Sequence, residues 1–300
     1  MPSIHPTACI SSRARVADDV QIGAFCVVED EVEIGSGCRL ENHVVVKSGT
    51  TMGPGNWVCE HAVLGGLAQH KSPSGPAGRV RIGARNMIRE QVTIHRALAE
   101  SAETVLGDDN LLMVSAHIAH DCRVGNQVIL ANNVMLAGHV EVGDRAFMSG
   151  ASAVHQFCRV GTLAMVGGQA HITKDVPPYV TIDGLSSMIV GLNVVGLRRA
   201  GFTASDLQML KAAYRVAFRM GLRWEETLDR LRLEYPEGPA SAFHQFLACS
   251  KRGCVTERSV PKRATLKLYS TAESAADTAA VDSTASPAEA VRQASARRAA

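Results

Sequence analysis

The chain contains 300 residues with a formal net charge of +2, a length that accommodates one large domain and a smaller one. Hydrophobic residues make up 46% of it and aromatic residues only 4%, so small and branched aliphatic side chains must fill the core. No apolar run reaches the roughly 18 residues of a membrane-spanning helix, and the N-terminus lacks the pattern of a signal peptide. The eight cysteines lack the paired spacing of a zinc site. We therefore predict a cytoplasmic protein with reduced thiols, no transmembrane segment and no nucleic-acid partner.

Aliphatic residues recur every six positions along the first part of the chain. From Ile4 to Ile172 one frame contains 29 positions, and 26 of them are aliphatic; the exceptions are His70, Pro76 and Glu100. A second column of mostly small residues lies two positions earlier, and glycine often follows the aliphatic residue, where it permits a sharp corner. Residues two apart on a strand share a face, so both columns point inward. Period six excludes an amphipathic helix and plain hairpins, and it predicts a parallel β-helix.

The departures from this frame divide the chain. We assign residues 1–190 to the β-helix and predict two loops, near 66–79 and 97–104, because the frame is interrupted there. Residues 191–255 are predicted to form a small helical domain. Its helices begin after a capping box at Thr203–Asp206 and then cover Trp224–Leu233 and Ser241–Ser250. Residues 256–300 lose any pattern and become rich in Ala, Ser and Thr, so we predict a disordered tail.

Charge is distributed unevenly between these parts. Residues 1–195 carry 14 basic against 18 acidic side chains, whereas residues 196–267 carry 14 against 7. The second segment therefore has a net charge of +7 and favours an acidic partner.

Nine histidines lie in the repeat outside the first loop, and none occupies an inward column. They are therefore not ordinary core residues. Surface exposure is the simplest interpretation for four of them: His5, His43, His61 and His171.

The remaining histidines cluster in sequence and, if three six-residue repeats make one coil, also in space. His120, Gly138 and Gln156 fall in one column, and Asp121 stacks against His139. A base, a backbone donor and an amide in successive coils form a site suited to attack on a carbonyl group. A metal site remains an alternative on spacing alone. Asp121 either assists His120 electrostatically or is merely solvated.

Several motifs resemble the UDP-N-acetylglucosamine acyltransferases of the hexapeptide-repeat superfamily. The resemblance covers about residues 1–254. The segments that carry it are Ile94-His95-Arg96, His117-Ile118-Ala119-His120-Asp121-Cys122, Ala137-Gly138-His139, Ala153-Val154-His155-Gln156-Phe157-Cys158, Asp175-Val176-Pro177-Pro178-Tyr179 and Gly191-Leu192-Asn193-Val194-Val195-Gly196-Leu197-Arg198-Arg199. The resemblance implies a mainly β protein, with a left-handed parallel β-helix of triangular coils followed by the small α-helical domain.

The resemblance also implies an activity. Members of the family transfer a 3-hydroxyacyl group from acyl carrier protein to the 3-hydroxyl of UDP-N-acetylglucosamine, the first step of lipid A biosynthesis. They are homotrimers with sites between subunits. They need no cofactor of their own, because phosphopantetheine arrives on the donor, and we expect no metal.

Residue roles follow from the same resemblance. His120 matches the general base and Gly138 the oxyanion donor. The other matching positions bind substrate or shape the site: Gln69, His95, His117, His139, His155, Gln156, Asn193, Arg199 and, at the end of the acyl groove, Gly168. The family often has Gln-Asp-x-Lys in the first loop where this chain has Gln69-His70-Lys71-Ser72. A carboxylate and a second arginine of some members are Val195 and Ala200 here.

Two other enzymes use the same repeat. One is the N-acyltransferase of the same pathway, which the motif around His120 and the lack of a large N-terminal domain argue against. The other is a zinc-dependent β-helix hydratase, which the histidines at the subunit edge also permit. A non-catalytic scaffold would not need the histidine cluster.

Overall fold

The computed structural model of the chain describes residues 2–71 and 76–258. Residues 2–71 and 76–182 wind into a left-handed parallel β-helix, which confirms the predicted fold class. Each coil contributes one short strand to each of three parallel sheets, so strands three apart in sequence are hydrogen-bonded neighbours. None of the helices in the described part of the chain is long and apolar enough to cross a bilayer.

The three sheets form the sides of a triangular prism. Sheet A contains Ser3–Ile4, Gln21–Ile22, Arg39–Leu40, Trp57–Val58, Met87–Ile88, Leu111–Leu112, Ile129–Leu130, Phe147–Met148, Met165–Val166, Val180–Ile182 and the antiparallel Ile189–Leu192. Sheet B contains Cys9–Ile10, Val27–Val28, Val45–Val46, Val63–Gly66, Thr93–His95, His117–Ile118, Met135–Leu136, Ala153–Val154 and His171–Ile172. Sheet C contains Arg15–Val16, Glu33–Ile34, Thr50–Met52, Arg79–Ile82, Glu103–Leu106, Arg123–Val124, Glu141–Val142 and Arg159–Val160.

Both predicted columns point into the prism. From Val20 onward the aliphatic column and the column two residues earlier are buried in one continuous core. The first coil is the exception, because it has a neighbour on one side only: Ile4 remains 41% exposed.

The corners differ from the prediction. From Phe25 onward most turns are made by a residue with left-handed backbone, three positions before the inward aliphatic, and it is often not glycine: φ is 61° at Asp121 and 60° at His139. The glycine after the aliphatic residue serves close stacking instead, since a Cβ on Gly143 would lie 2.6 Å from the backbone nitrogen of Thr162.

Both loops enlarge a coil. In a coil without a loop, Ile118 pairs with Leu136. Val58 pairs with Ile88 across the first loop, and Ile94 pairs with Ile118 across the second. The partners in both pairs are farther apart in sequence than Ile118 and Leu136, because the loop residues lie between them. The second loop is shorter than predicted, because Glu103 and Thr104 already belong to a strand of sheet C.

Three inward asparagines replace small residues at one corner. The Oδ1 of Asn56 accepts hydrogen bonds from the backbone N and the Nδ2 of Asn86, each at 2.9 Å. Asn86 Oδ1 accepts hydrogen bonds from the backbone N and the Nδ2 of Asn110, each at 2.9 Å. The Oδ1 of Asn110 in turn accepts from Val128 N at 2.7 Å. All three side chains are at most 1% exposed, so every polar group depends on the next coil.

We expect Asn86→Ala to destabilise the protein strongly. The change removes the acceptor of the Asn110 backbone N–H and of its Nδ2, and one of the two donors to Asn56 Oδ1. Buried unpaired polar groups cost about 1–3 kcal/mol each. A loss of about 3 kcal/mol corresponds to a fall in Tm of roughly 6–12 °C for a domain of this size. Calorimetry measures it, with the exposed Asn132→Ala as the control. An unchanged Tm in Asn86→Ala would show that the asparagine ladder, formed by Asn56, Asn86 and Asn110, contributes nothing to stability.

Four helices follow the prism: α1 (Val194–Arg199), α2 (Ala204–Phe218), α3 (Trp224–Glu234) and α4 (Ser241–Ala248). The predicted capping box is present, because Thr203 Oγ1 accepts from Asp206 N and Asp206 Oδ2 accepts from Thr203 N. The short helix α1 was not predicted. Asn193 caps it by accepting from Gly196 N at 3.0 Å.

The helices are attached to the prism through a buried carboxylate. Asp175 is 1% exposed and accepts hydrogen bonds from Arg159 N at 2.9 Å and from Ser250 Oγ at 2.8 Å. The predicted tail also begins later than residue 256, because Ile189 pairs with the chain at 256–258 and Glu257 bonds to Arg219. The rest of that predicted tail, 259–300, lies outside the described residues.

Candidate active site

The corner between sheets B and C holds the predicted base. His120 follows the strand His117–Ile118, and the next coil places Gly138 directly beside it. The imidazole is packed so closely that a Cβ on Gly138 would lie 2.4 Å from Cε1 and 2.6 Å from Nε2 of His120. Only glycine therefore leaves room for the ring, which is 9% exposed.

Asp121 orients the imidazole. Its Oδ2 lies 2.8 Å from His120 Nδ1, and the same oxygen accepts a hydrogen bond from Leu98 N at 3.1 Å. The backbone N–H of Asp121 donates to Thr104 Oγ1 at 2.8 Å. The second loop thus fixes this carboxylate, and the interpretation that Asp121 is merely solvated was wrong. A proton on Nδ1 directed at Asp121 leaves the lone pair of His120 on Nε2, beside Gly138.

A second pair of imidazoles lies on the adjoining face of sheet B. His95 and His117 meet edge to face with ring centroids 4.9 Å apart, and His117 Nδ1 bonds to Thr93 Oγ1 at 2.7 Å. Burial, together with His95 and His120, lowers the pKa of His117 to about 4. Burial and His120 also lower the pKa of His95. Both rings are therefore neutral at pH 7 and present uncharged hydrogen-bonding groups to a substrate.

The site opens along the same corner. The His139 ring stacks on Phe157 in the next coil at 4.6 Å and meets His120 edge to face at 5.2 Å. An open cleft of about 640 Å³ begins at His139 and Phe157 and ends at the basic side chains of Lys251 and Arg252. Arg159 and the carboxylates of Glu141 and Asp175 also line it, so the cleft offers side chains of both charges next to His139.

Comparison with known proteins identifies the family to which this chain belongs. Residues 175–255 match the family model "Udp N-acetylglucosamine O-acyltransferase; Domain 2", and residues 13–48 and 103–138 match "Bacterial transferase hexapeptide (six repeats)". The acyl-[acyl-carrier-protein]–UDP-N-acetylglucosamine O-acyltransferase of Burkholderia orbicola is 44% identical over 261 residues, 85% of this chain and all of the relative. The chain belongs to the UDP-N-acetylglucosamine O-acyltransferase family.

Solved structures agree with this assignment. LpxA from Acinetobacter baumannii superposes with a TM-score of 0.81 at 41% identity, over 84% of this chain and 99% of the other. The UDP-N-acetylglucosamine acyltransferase of Arabidopsis gives a TM-score of 0.75 at 36% identity, over 84% of this chain and all of the other. These proteins are O-acyltransferases, not the N-acyltransferase or the hydratase that the repeat alone permits.

Not all residues that the family resemblance suggested meet at this corner. His155 and Gln156 lie there, exposed, in the coil after Gly138. Gln69 lies in the first loop, exposed, beside His70, whose ring centroid is 6.1 Å from that of His120.

Three further family positions lie at the other corners of the prism. Gly168 lies between sheets A and B. Asn193 reaches the corner between sheets C and A, where its Nδ2 donates to Leu163 O at 3.0 Å. Arg199 ends helix α1 and is exposed. One chain therefore distributes the family's site residues over three corners. The four histidines assigned to the surface, His5, His43, His61 and His171, are exposed.

Sequence reasoning missed Thr93, Thr104 and His70. A coil of constant length aligns His117 with Ala99, whereas the second loop moves the partner to Thr93. The pairing of Thr93 with His117 can be found from the sequence only if the residues of the second loop are left out when the coil length is counted. His70 was noted as a departure from the family loop, but no periodic signal places a loop residue against His120.

Proposed function

We propose that this protein transfers a 3-hydroxyacyl group from acyl carrier protein to the 3-hydroxyl of UDP-N-acetylglucosamine, the first step of lipid A biosynthesis, in the cytoplasm. The names of its relatives support the coarser part of this proposal: they are acyl-[acyl-carrier-protein]–UDP-N-acetylglucosamine O-acyltransferases. The eight cysteines are all free thiols, as expected of a reducing compartment.

One observation carries the proposal: the free Nε2 edge of His120 is packed against Gly138. Asp121 holds Nδ1, so Nε2 faces the glycine. Among the described residues the Gly138 N–H has no acceptor, while the neighbouring N–H of Ala137 and that of His139 are both bonded within the coils. A base and an uncommitted backbone donor side by side are what acyl transfer to a hydroxyl requires.

The reaction then proceeds in two proton transfers. His120 Nε2 takes the proton of the sugar 3-hydroxyl as that oxygen attacks the thioester carbonyl carbon. Asp121 stabilises the resulting imidazolium, and the Gly138 N–H donates to the oxyanion of the tetrahedral intermediate. Collapse of the intermediate breaks the C–S bond, and the imidazolium returns the proton to the departing thiolate. The products are the sugar ester and free phosphopantetheine thiol.

The donor arrives on a partner protein. A thioester is already activated, and its phosphopantetheine arm travels with acyl carrier protein, so the proposed reaction uses no cofactor of this chain. The basic segment 196–267 supports docking of an acidic carrier. Arg198 and Arg199 are exposed at the end of α1. Arg219 is occupied by Glu257 and is not a docking residue.

The outer faces of the prism support a homotrimer. The outward positions of sheet C are mostly charged, as in the stack of Arg123, Glu141 and Arg159. The outward positions of sheet A are apolar over five coils and lie in register: Met87, Leu111, Ile129, Phe147 and Met165. Sheet B adds the 50% exposed Met135. A continuous apolar face is typical of an interface between subunits.

Three-fold packing of sheet A on sheet B of the next subunit completes the site. It brings the corner that holds Asn193 to the corner of another subunit that holds His120, and it collects the Gly168 corners near the axis. This arrangement explains why one chain spreads the site over three corners. Light scattering should give three times the 31.9 kDa chain mass, and Ile129→Glu should dissociate the trimer. A monomeric wild-type protein would refute this assembly.

Gly168 is proposed to set acyl length. Its backbone is not left-handed, and a Cβ there would approach only Gly150 O at 3.3 Å and Ser149 Cβ at 3.9 Å. The corner itself is made by Gln169, whose φ is 62°. A glycine here is thus not required for the turn, and its missing side chain leaves the groove open.

We therefore expect a donor near fourteen carbons, and we expect Gly168→Met to shift preference to shorter donors while retaining transfer. Each buried methylene contributes about 0.8 kcal/mol, so a few carbons discriminate strongly. Transfer rates for a series of 3-hydroxyacyl carrier proteins measure the shift. An unchanged chain-length profile, or equal loss with every donor, would contradict the proposed role.

The proposed function is tested by an acyl-transfer assay on the full chain. UDP-N-acetylglucosamine and 3-hydroxyacyl carrier proteins should yield the 3-O-acylated nucleotide sugar, identified by mass spectrometry. UDP-3-amino sugars used as acceptors in a parallel assay test the N-acyl alternative. Failure to acylate UDP-N-acetylglucosamine, with or without transfer to the amino sugar, would overturn the proposal.

A further inference from the structure

We propose that His120, Asp121 and His139 also form a binding site for a divalent transition-metal ion such as Zn²⁺, and that the bound ion inhibits the enzyme. The three residues offer two imidazole nitrogens and one carboxylate oxygen, all within 4.8 Å of one another. Nitrogen and oxygen ligands of this kind suit zinc and its neighbours.

The distances fit a single ion. With metal–ligand bonds of about 2.0–2.1 Å, ligand atoms of a tetrahedral site lie about 3.3 Å apart. Here Asp121 Oδ2 lies 2.8 Å from His120 Nδ1 and 3.7 Å from His139 Nε2. Small rotations of the two rings therefore close the site. The side chains of His120 and Asp121 are 11% and 12% exposed, and that of His139 is 37% exposed, which leaves an entry for the ion from the cleft.

The backbone holds this arrangement without the ion. Asp121 and His139 occupy equivalent corners of successive coils, and His139 N donates to His120 O at 3.0 Å. The carboxylate is fixed by Leu98 N, so an ion meets ligands that are already ordered. Hydrogen bonds behind metal ligands raise affinity in this way.

The other candidate cluster in the described residues lacks these properties. Cys59, Glu60 and Glu90 also approach one another, but Glu90 is paired with Arg89 at 2.8 Å. Burial raises the pKa of the Cys59 thiol to about 12, so the thiolate that a metal needs is absent at pH 7.

Inhibition follows from the tautomer of His120. In the metal-free site the proton is on Nδ1 and the lone pair on Nε2. A metal ion on Nδ1 requires that nitrogen's lone pair, so the ring proton moves to Nε2, and the imidazole keeps its proton count. Nε2–H cannot accept the proton of a sugar hydroxyl. The metal therefore removes the base. This consequence rests on the proposed function, whereas metal binding itself does not.

Binding is tested with Co²⁺, whose d–d absorption reports inner-sphere ligands. The full-length protein should bind one Co²⁺ per chain, and Zn²⁺ should displace it. His139→Gln should weaken binding by at least roughly tenfold. Gln already occupies the equivalent left-handed turn position at the other corners, as Gln91, Gln127 and Gln169, so the backbone accepts the change. The matched control is His61→Gln, an exposed histidine with φ of 61°, which should bind like the wild type.

A saturable Co²⁺ spectrum that His139→Gln weakens and His61→Gln preserves establishes the site. No saturable spectrum, or equal binding by both variants, overturns it. Zn²⁺ should then inhibit acyl transfer reversibly, with activity restored by a chelator; binding without inhibition overturns the inhibitory role. If metal-free protein transfers no acyl group, the proposed function fails while the Co²⁺ result still decides the site.

Discussion

Replacing His120 with alanine is expected to lower kcat by about 10²–10⁴-fold, the range for the loss of one acid–base group. The ring is the group that Asp121 orients and the one whose free nitrogen faces Gly138. KM for the sugar nucleotide should change much less, because removing the base mainly affects the transition state. Asp121 retains its bonds to Leu98 and Thr104, so the corner should keep its shape.

Two other variants show whether the loss of activity is specific to His120. His117→Ala should cost less, since His117 is a neutral group bonded to Thr93 and does not face Gly138. The distant, exposed His43→Ala should leave kcat unchanged. Steady-state kinetics with a fixed donor measure all three, and wild-type turnover in His120→Ala would remove His120 from the mechanism.

Adding one methyl group at Gly138 should lower kcat by about 10²-fold or more, the lower end of the range for losing an acid–base group. The new Cβ of Gly138→Ala would lie 2.4 Å from His120 Cε1, so the imidazole must rotate out of its place. That rotation breaks the bond from Nδ1 to Asp121 and turns Nε2 away from the acceptor hydroxyl. The backbone N–H of residue 138 is retained. The fall in kcat therefore reports the displacement of the base and not the removal of the oxyanion donor.

The matched control for this change is Gly150→Ala. Its Cβ would make one ordinary contact, 3.5 Å from Asn132 O, at a corner away from His120. Because Gly150 lies one coil before Gly168, kcat is compared with a short-chain donor that does not reach that corner, and it should then equal that of the wild type. If Gly138→Ala is fully active with an unchanged Tm, the close packing of glycine and imidazole has no role in catalysis.

The period of six was enough to predict the prism, because every coil repeats the same inward pair of residues. It was also enough to bring His120, Gly138 and Gln156 together, since no loop interrupts the chain between them. Positions before that segment could not be placed. The two predicted loops lie between Leu64 and Leu106, and the way each enlarges its coil is not contained in a periodic pattern, so the partners of His117 and Asp121 were not predicted.

The period of six also did not predict which residues make the turns. The left-handed conformation occurs at Asp121 and His139, where glycine would have been expected, and local stacking of successive coils stabilises it. Site residues at Gly168 and Asn193 could be named by resemblance alone. Only the structure shows that these two residues lie at different corners of the prism, away from His120.

The exposed first coil has a consequence for how the molecule unfolds. A coil bonds only to the coil before and the coil after it, so stability behaves approximately as a sum of nearest-neighbour terms along one axis. The N-terminal end has a single neighbour and an exposed Ile4, whereas the last coils are covered by Leu197 and the helices that follow. Fraying therefore starts at the end far from His120 and proceeds coil by coil. The asparagine ladder that starts at Asn56 lies between that end and the catalytic corner, where it acts as a barrier to propagation.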